Sequence, residues 1–206
     1  MSRFVIRGLS PGVVIGATSW SMAGIIHVDI PDFTLVVARG ETGHAAFDFT
    51  GDGAPDIVFS VRNTGALRVQ GLGGVELKAP GILDGVYDDW FVIPHAAGEL
   101  IGPSPDPQEW EYNPNEVYLE DFIKIPWPDD GAYIGMQLTS AEGDRYGWAH
   151  VASVLAPTYS SFTVFGFAYE TEFGVPIRAG AIPTPGVLAL LAVGAAARGR
   201  RPARRA

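Results

Sequence analysis

The residues best suited to do chemistry in this chain form one stretch, Asp48-Phe49-Thr50-Gly51-Asp52-Gly53-Ala54-Pro55-Asp56. Side-chain oxygens fall at its positions 1, 3, 5 and 9, and glycine at position 6 permits a sharp bend. That is the first part of a calcium loop, since hard Ca2+ takes about six to eight oxygen ligands. Asp48, Thr50, Asp52 and Asp56 are the candidate metal ligands. The glutamate that a helix-flanked calcium loop carries at position 12 is missing, because Phe59 stands there. The compact loop with aspartates at alternate positions between two strands fits better, with Thr50 replacing one carboxylate. The same composition also makes an ordinary Asp/Gly hairpin turn without a metal. Both readings stand at this level.

Carboxylate pairs come next. Glu109 and Glu111, and Glu170 and Glu172, lie two residues apart, so on a strand each pair shares a face at ~6.8 Å. That overlaps the separations used in glycoside hydrolysis. A chain this acidic generates such pairs by chance, so they read as solvated carboxylates, and no catalytic residue is assigned. Trp90, Trp110 and Trp127, with Tyr112 and Tyr118, could stack on sugar rings or cap the core. His27, His44, His95 and His150 lack metal-ligand spacing, and His150 is expected on a strand face beside Trp148. Gly71-Leu72-Gly73-Gly74 reads as a turn, not a phosphate loop.

The elements that must position these residues read as strands. Ala45, Phe47 and Phe49 alternate with His44, Ala46 and Asp48, and Ile57, Phe59 and Val61 alternate with Val58, Ser60 and Arg62. The Gly51–Pro55 turn between them predicts a hairpin. Further strands are expected at 33–38, 67–72 and 75–77. In the second half Ile134, Met136 and Leu138 alternate with Gln137 and Thr139. Val151, Val164 and Ala168 are expected to pack on that face. Strands at 145–153, 161–169 and 175–178 follow, the first entered through a turn at Glu142-Gly143-Asp144. No window gives an amphipathic helix longer than two turns. Residues 80–128 hold eight of the sixteen prolines, which predicts long irregular connections where binding residues usually sit.

Charge narrows the function classes. The span 24–182 holds all 23 acidic residues against seven basic ones, a net −16, while the whole chain is −9. This charge argues against nucleic acid as a partner, because its phosphates would be repelled. The absence of cysteine removes disulfides and thiolate metal sites.

The ends carry an address. An uncharged apolar run, Val187–Ala197, precedes Arg198, Arg200, Arg201, Arg204 and Arg205. Such a run favours a helix in lipid, and the arginines predict a cytoplasmic C-terminus. Eleven residues cover only ~17 Å of a ~30 Å hydrocarbon core, so it is a short spanner. Pro183 and Pro185 keep that helix from running back into the domain. At the other end Arg3 and Arg7, an apolar stretch at 8–21 and small residues at Ser21 and Ala23 read as a signal peptide cut before Gly24.

Pro183-Thr184-Pro185-Gly186, the Leu/Ala/Gly-rich segment and the arginine cluster resemble the PEP-CTERM sorting segment that exosortase-type membrane enzymes process. Thr184 stands where that signal usually has glutamate. A sortase signal fits worse, since no Thr-Gly pair occurs, and a plain tail anchor remains the competitor. Tyr133-Ile134-Gly135, Tyr146-Gly147-Trp148-Ala149-His150-Val151 and Ala168-Tyr169-Glu170-Thr171 are likewise similar to exported PEP-CTERM proteins of unassigned activity.

The expected protein is therefore an all-β, antiparallel β-sandwich or jelly-roll-like ectodomain over 24–180 with long proline-rich loops. A signal peptide over 1–23 precedes it. A sorting segment over 181–206 follows, with a helix at 186–197 and a basic tail at 198–206. The expected role is a non-enzymatic cell-surface or matrix protein, in transit at the inner membrane and then in the envelope or outside the cell. A lectin-like carbohydrate-binding module is the alternative, and a small glycan hydrolase stands behind both.

Overall fold

The computed structural model describes residues 24–79, 91–104, 127–128 and 130–183 in full, with backbone strands at 4–7, 14–16, 18–22, 81–83, 88–90, 110–111 and 117–120. The first strands are β1 (Phe4–Arg7), β2 (Val14–Gly16), β3 (Thr18–Met22), β4 (Ile25–Ala38), β5 (Gly43–Asp48) and β6 (Ile57–Val61). Then come β7 (Leu67–Gly71), β8 (Val75–Lys78), β9 (Gly81–Leu83), β10 (Asp88–Trp90), β11 (Pro94–His95) and β12 (Leu100–Ile101). The last are β13 (Trp110–Glu111), β14 (Val117–Glu120), β15 (Ala132–Ser140), β16 (Gly143–Leu155), β17 (Tyr159–Glu170) and β18 (Ile177–Arg178). The described residues form strands and turns and no helix, so none of them builds a helix able to cross a membrane. The expected helix at 186–197, the basic tail, and Thr184, Pro185 and Gly186 lie outside the described residues.

The strands make two main sheets. The larger runs β1-β4-β17-β16-β15-β8-β13, with β3 also on β4 and β11 also on β15. The smaller runs β14-β7-β6-β5-β2. Pairing is antiparallel except where β1 joins β4 and β2 joins β5. The all-β expectation and the two hairpins read from sequence, β5–β6 and β15–β16, are present. The N-terminal strands lie along the edges of β4 and β5.

Alternation explains why both sheets bury one face. Phe47, Phe59, Leu67 and Val69 from the small sheet share a core with Phe33, Leu35, Ile134, Met136, Phe162 and Phe167 from the large one. Five aromatic contacts bridge the sheets. Phe49 stacks on Phe167 at 5.1 Å and reaches Tyr169 at 6.1 Å. Phe47 meets Phe33 at 5.4 Å and Phe167 at 5.5 Å, and Phe59 meets Phe162 at 5.3 Å. The chain changes sheets between β7 and β8. There Gly71 passes so close that a Cβ on it would overlap the Val75 carbonyl oxygen. The 71–74 segment is thus the turn the sequence suggested, and it joins the layers.

One packing expectation is corrected. Val151 and Val164 lie in the main core, but Ala168 belongs to a second cluster with Ile101, Tyr146, Trp148, Ile177 and Ala179 on the opposite face of the large sheet. The reason is a bulge. Val151 pairs with Val164 and His150 with Gly166, which leaves Phe165 as an extra residue on β17. One added residue inverts the alternation, so Phe167 and Tyr169 face the core and Ala168 does not. On β4 the partners jump from Asp29 to Phe33 at the same place, around Pro31, which has no N–H to give a ladder.

Leu138 shares the face of Ile134 and Met136 but is only half-buried, whereas Met136 is fully enclosed. Met136→Ala is therefore expected to cost ~2–5 kcal/mol through lost burial and a residual cavity. Gln137→Ala, on the other face, should cost ~1 kcal/mol or less. Denaturant titration of the whole chain measures both, and equal losses would mean the faces are assigned wrongly.

Candidate functional site

The Asp48–Asp56 loop is the β5–β6 connection, and its carboxylates bind the loop's own backbone. Asp48 Oδ1 accepts from Gly51 N at 2.7 Å and its Oδ2 from Gly53 N at 2.9 Å. Asp56 Oδ2 accepts from Phe49 N at 2.7 Å and Thr50 N at 2.8 Å, while Thr50 Oγ1 donates to Asp56 Oδ1 at 3.2 Å. Asp52 Oδ1 takes the Ala54 amide at 2.8 Å. Gly51 and Gly53 sit at φ 78° and 91°, which an L side chain would strain. Thus the four expected ligands are gathered in one loop, with the three carboxylates accepting from amides and the Thr50 hydroxyl turned on Asp56. No group of three or more metal-binding side chains is found among the described residues. The donor set fits a self-capped turn better than a calcium cage.

Asp56 is buried, and burial raises its pKa above 3.8, while the amides of Thr50 and Phe49 pull it back. The folded carboxyl therefore holds its proton to higher pH than the unfolded one. Its stabilisation is complete below 3.8 and is lost as pH rises through the raised value. Asp56→Asn keeps an oxygen for both amides and removes the titration. The stability of wild type relative to this variant should fall as pH rises through that window and then level off. A constant difference across acid pH would show that Asp56 does not titrate there.

The other expected residues are placed as follows. Trp127 is 2% exposed and its indole N–H donates to Val151 O at 2.8 Å, so it caps the core and offers no ring to a sugar. Trp90 and Trp110 lie in β10 and β13, and their side chains are outside the described residues, as are Glu109 and the Glu111 side chain. Glu170 is buried, and its Oε1 accepts from Thr171 N at 2.9 Å, closing the turn after β17. Glu172 is exposed. His44 is exposed, and His27 stands 5.8 Å from Trp148.

Sequence reasoning missed a cleft on the outer face of the large sheet. His95 pairs with Tyr133 and Tyr133 with His150, so three adjacent strands carry these side chains in one row. The Tyr133 and His150 rings stack at 4.5 Å, with planes 14° apart, and Phe165, the bulge residue, lies 4.6 Å beyond His150. Trp148 meets Tyr133 edge to face at 5.2 Å. Residues 94–99 arch beside this row and leave a cleft of about 440 Å³. Its lining includes His95, Glu99, Asp130, Tyr133 and His150, with Pro94 and Pro128 as apolar walls and no lysine or arginine among the described residues.

The cleft is held from both sides. Glu99 Oε2 accepts from Ala96 N at 3.0 Å and lies 3.3 Å from His95 Nδ1. His95 packs over Gly135, where a Cβ would come within 3.1 Å of its Nε2. Behind the arch, Gly98 N donates to Ala179 O at 2.9 Å, Ala179 N to Glu99 O at 2.8 Å, and Arg178 Nη1 to Gly98 O at 2.8 Å. Burial lowers the His150 pKa, against the opposing pull of Asp130 and Asp32, so the imidazole is largely neutral at pH 7. Only strand register unites residues so far apart in sequence. The one signal present in the chain was His150 alternating with Trp148. No protein-family model, curated protein or solved structure matches this chain.

With the loop carboxylates already bonded to amides, calcium between micromolar and millimolar should leave the thermal midpoint unchanged. Asp48→Ala should cost ~1 kcal/mol without any metal. A calcium-dependent rise in midpoint that Asp52→Ala removes would restore the metal site.

Proposed function

We propose that the chain is an exported, non-enzymatic surface or matrix protein, delivered by a PEP-CTERM-like segment and processed by an exosortase-type enzyme. On this reading its ectodomain is an antiparallel β-sandwich or jelly-roll-like domain, and the segment at 186–197 is a short membrane helix held only in transit. One observation carries this reading. Among the described residues the last backbone hydrogen bond is that of Ala181, whose N–H donates to Arg178 O at 2.9 Å. Ile182 then lies 57% exposed and leads to half-buried Pro183, where the sorting sequence would start. A membrane enzyme can reach such a junction without unfolding the domain.

The N-terminal side supports the same reading. Gly24 O accepts from Thr171 N and Thr171 Oγ1, so the domain is anchored at the first residue after the expected cut. Cleavage there removes β1 and β3 and bares the edge of β4. That edge is built for exposure, because exposed Asp29, Pro31 and Asp32 and the bulge between them interrupt its centre. Charges, proline and bulges are the devices that keep open edges from pairing with other chains. Calcium at the Asp48–Asp56 loop is the part of the sequence reading that the geometry supports least.

Intact-mass measurement of the protein recovered from its native envelope tests the proposal. The expected species begins at Gly24 and ends within or beside 183–186. A species that keeps Arg204 and Arg205 in its final location would replace processing with a permanent tail anchor.

A further inference from the structure

Five side chains line the outer-face cleft with a consistent chemistry, and neither the export signal nor the Asp-rich loop accounts for them. We infer that this cleft binds one or two units of a neutral saccharide, gripped between the stacked Tyr133 and His150 rings and the carboxylates of Glu99 and Asp130.

Size is the first argument. A volume of about 440 Å³ lies in the small-ligand range of ~300–1,000 Å³ and suits a mono- or disaccharide. The second is the mixed lining. Tyr133 and His150, stacked on each other and with Phe165 against His150, offer ring edges and polar ring atoms, while carboxylates accept hydroxyl protons in strong, charge-assisted bonds. The third is charge. With no lysine or arginine among the described lining residues and a domain at −16, phosphate, sulfate and uronate groups are disfavoured. A neutral His150 can both donate to and accept from hydroxyls.

Preorganisation is the fourth argument. Ala96 N and His95 fix the Glu99 carboxylate at the rim, so little side-chain freedom is lost on binding. Gly131, at φ 91°, keeps the floor open, since a Cβ there would lie 3.2 Å from His150 Nε2. His95 orients its neighbour and is a positioning residue, with its ring turned over Gly135.

The test is side-chain NMR of the full-length chain titrated with cellobiose, maltose and chitobiose, with glucose 6-phosphate and putrescine as charged controls. At least one disaccharide should shift the His150 and Tyr133 ring signals saturably, and glucose 6-phosphate should not. Asp130→Asn and Glu99→Gln should each weaken binding about tenfold, Asp130→Asn with an unchanged thermal midpoint because its carboxylate is exposed at the rim, and Glu99→Gln with an oxygen still accepting from Ala96 N. The inference is overturned if none of the three disaccharides shifts these rings. It is equally overturned if putrescine alone saturates them, or if both variants bind as wild type. Cleavage of a probe that Asp130→Asn abolishes would support the site and overturn the non-enzymatic part of the proposed function. Failure of the binding test leaves the sorting proposal standing, since its mass measurement is independent of the cleft.

Discussion

The structure depends on the aromatic seam between its two sheets. Phe47, Phe49 and Phe59 project from the small sheet onto Phe33, Phe162, Phe167 and Tyr169 of the large one. Each buried ring contributes roughly 1.5–3 kcal/mol through lost water contact, and each well-oriented pair adds ~0.5–1.5 kcal/mol. Among the described residues neither sheet has another layer on which to bury that face, so the seam decides whether there is a folded domain. With no cysteine for a disulfide, the layers are held by packing and by buried hydrogen bonds such as Ser160 Oγ to Gly65 O at 2.8 Å.

Satisfying the inner face frees the outer face of the large sheet for other uses. The matched irregularities at Pro31 and Phe165 let β4 and β17 keep apolar residues inward along their full length while shifting phase. Their consequence outside is specific. Phe165 turns out against His150, and Ala168 joins Trp148 and Tyr146 under the β12–β18 pair. That second cluster anchors residues 177–181, which in turn pin the arch at 94–99. The cleft wall and residues 177–181 are thus one hydrogen-bonded unit.

Much of the scaffold was legible because period-two alternation is a local property. Phe47, Phe59, Ile134 and Met136 were placed inward from neighbouring residues alone, and all four are enclosed. Ala168 was misplaced because a bulge breaks that period and leaves no composition signal of its own. Trp127 was ambiguous because an aromatic in a proline-rich stretch serves a surface or a core equally, and only the Val151 carbonyl decides. The Asp-rich loop was legible as a turn, but the aim of each carboxylate depends on backbone geometry that glycine positions only suggest. The cleft was illegible because His95, Tyr133 and His150 become neighbours only through the register of three strands.

If one seam joins the two sheets, they must open together. Native-state hydrogen exchange of the whole chain tests this most directly, by comparing amides of Phe59 and Val69 in the small sheet with those of Ile134 and Val164 in the large one. The account predicts a single opening free energy for all four, falling with one common denaturant slope. A distinctly lower free energy and shallower slope for Phe59 and Val69 would show that the small sheet opens by itself, and would contradict a shared core.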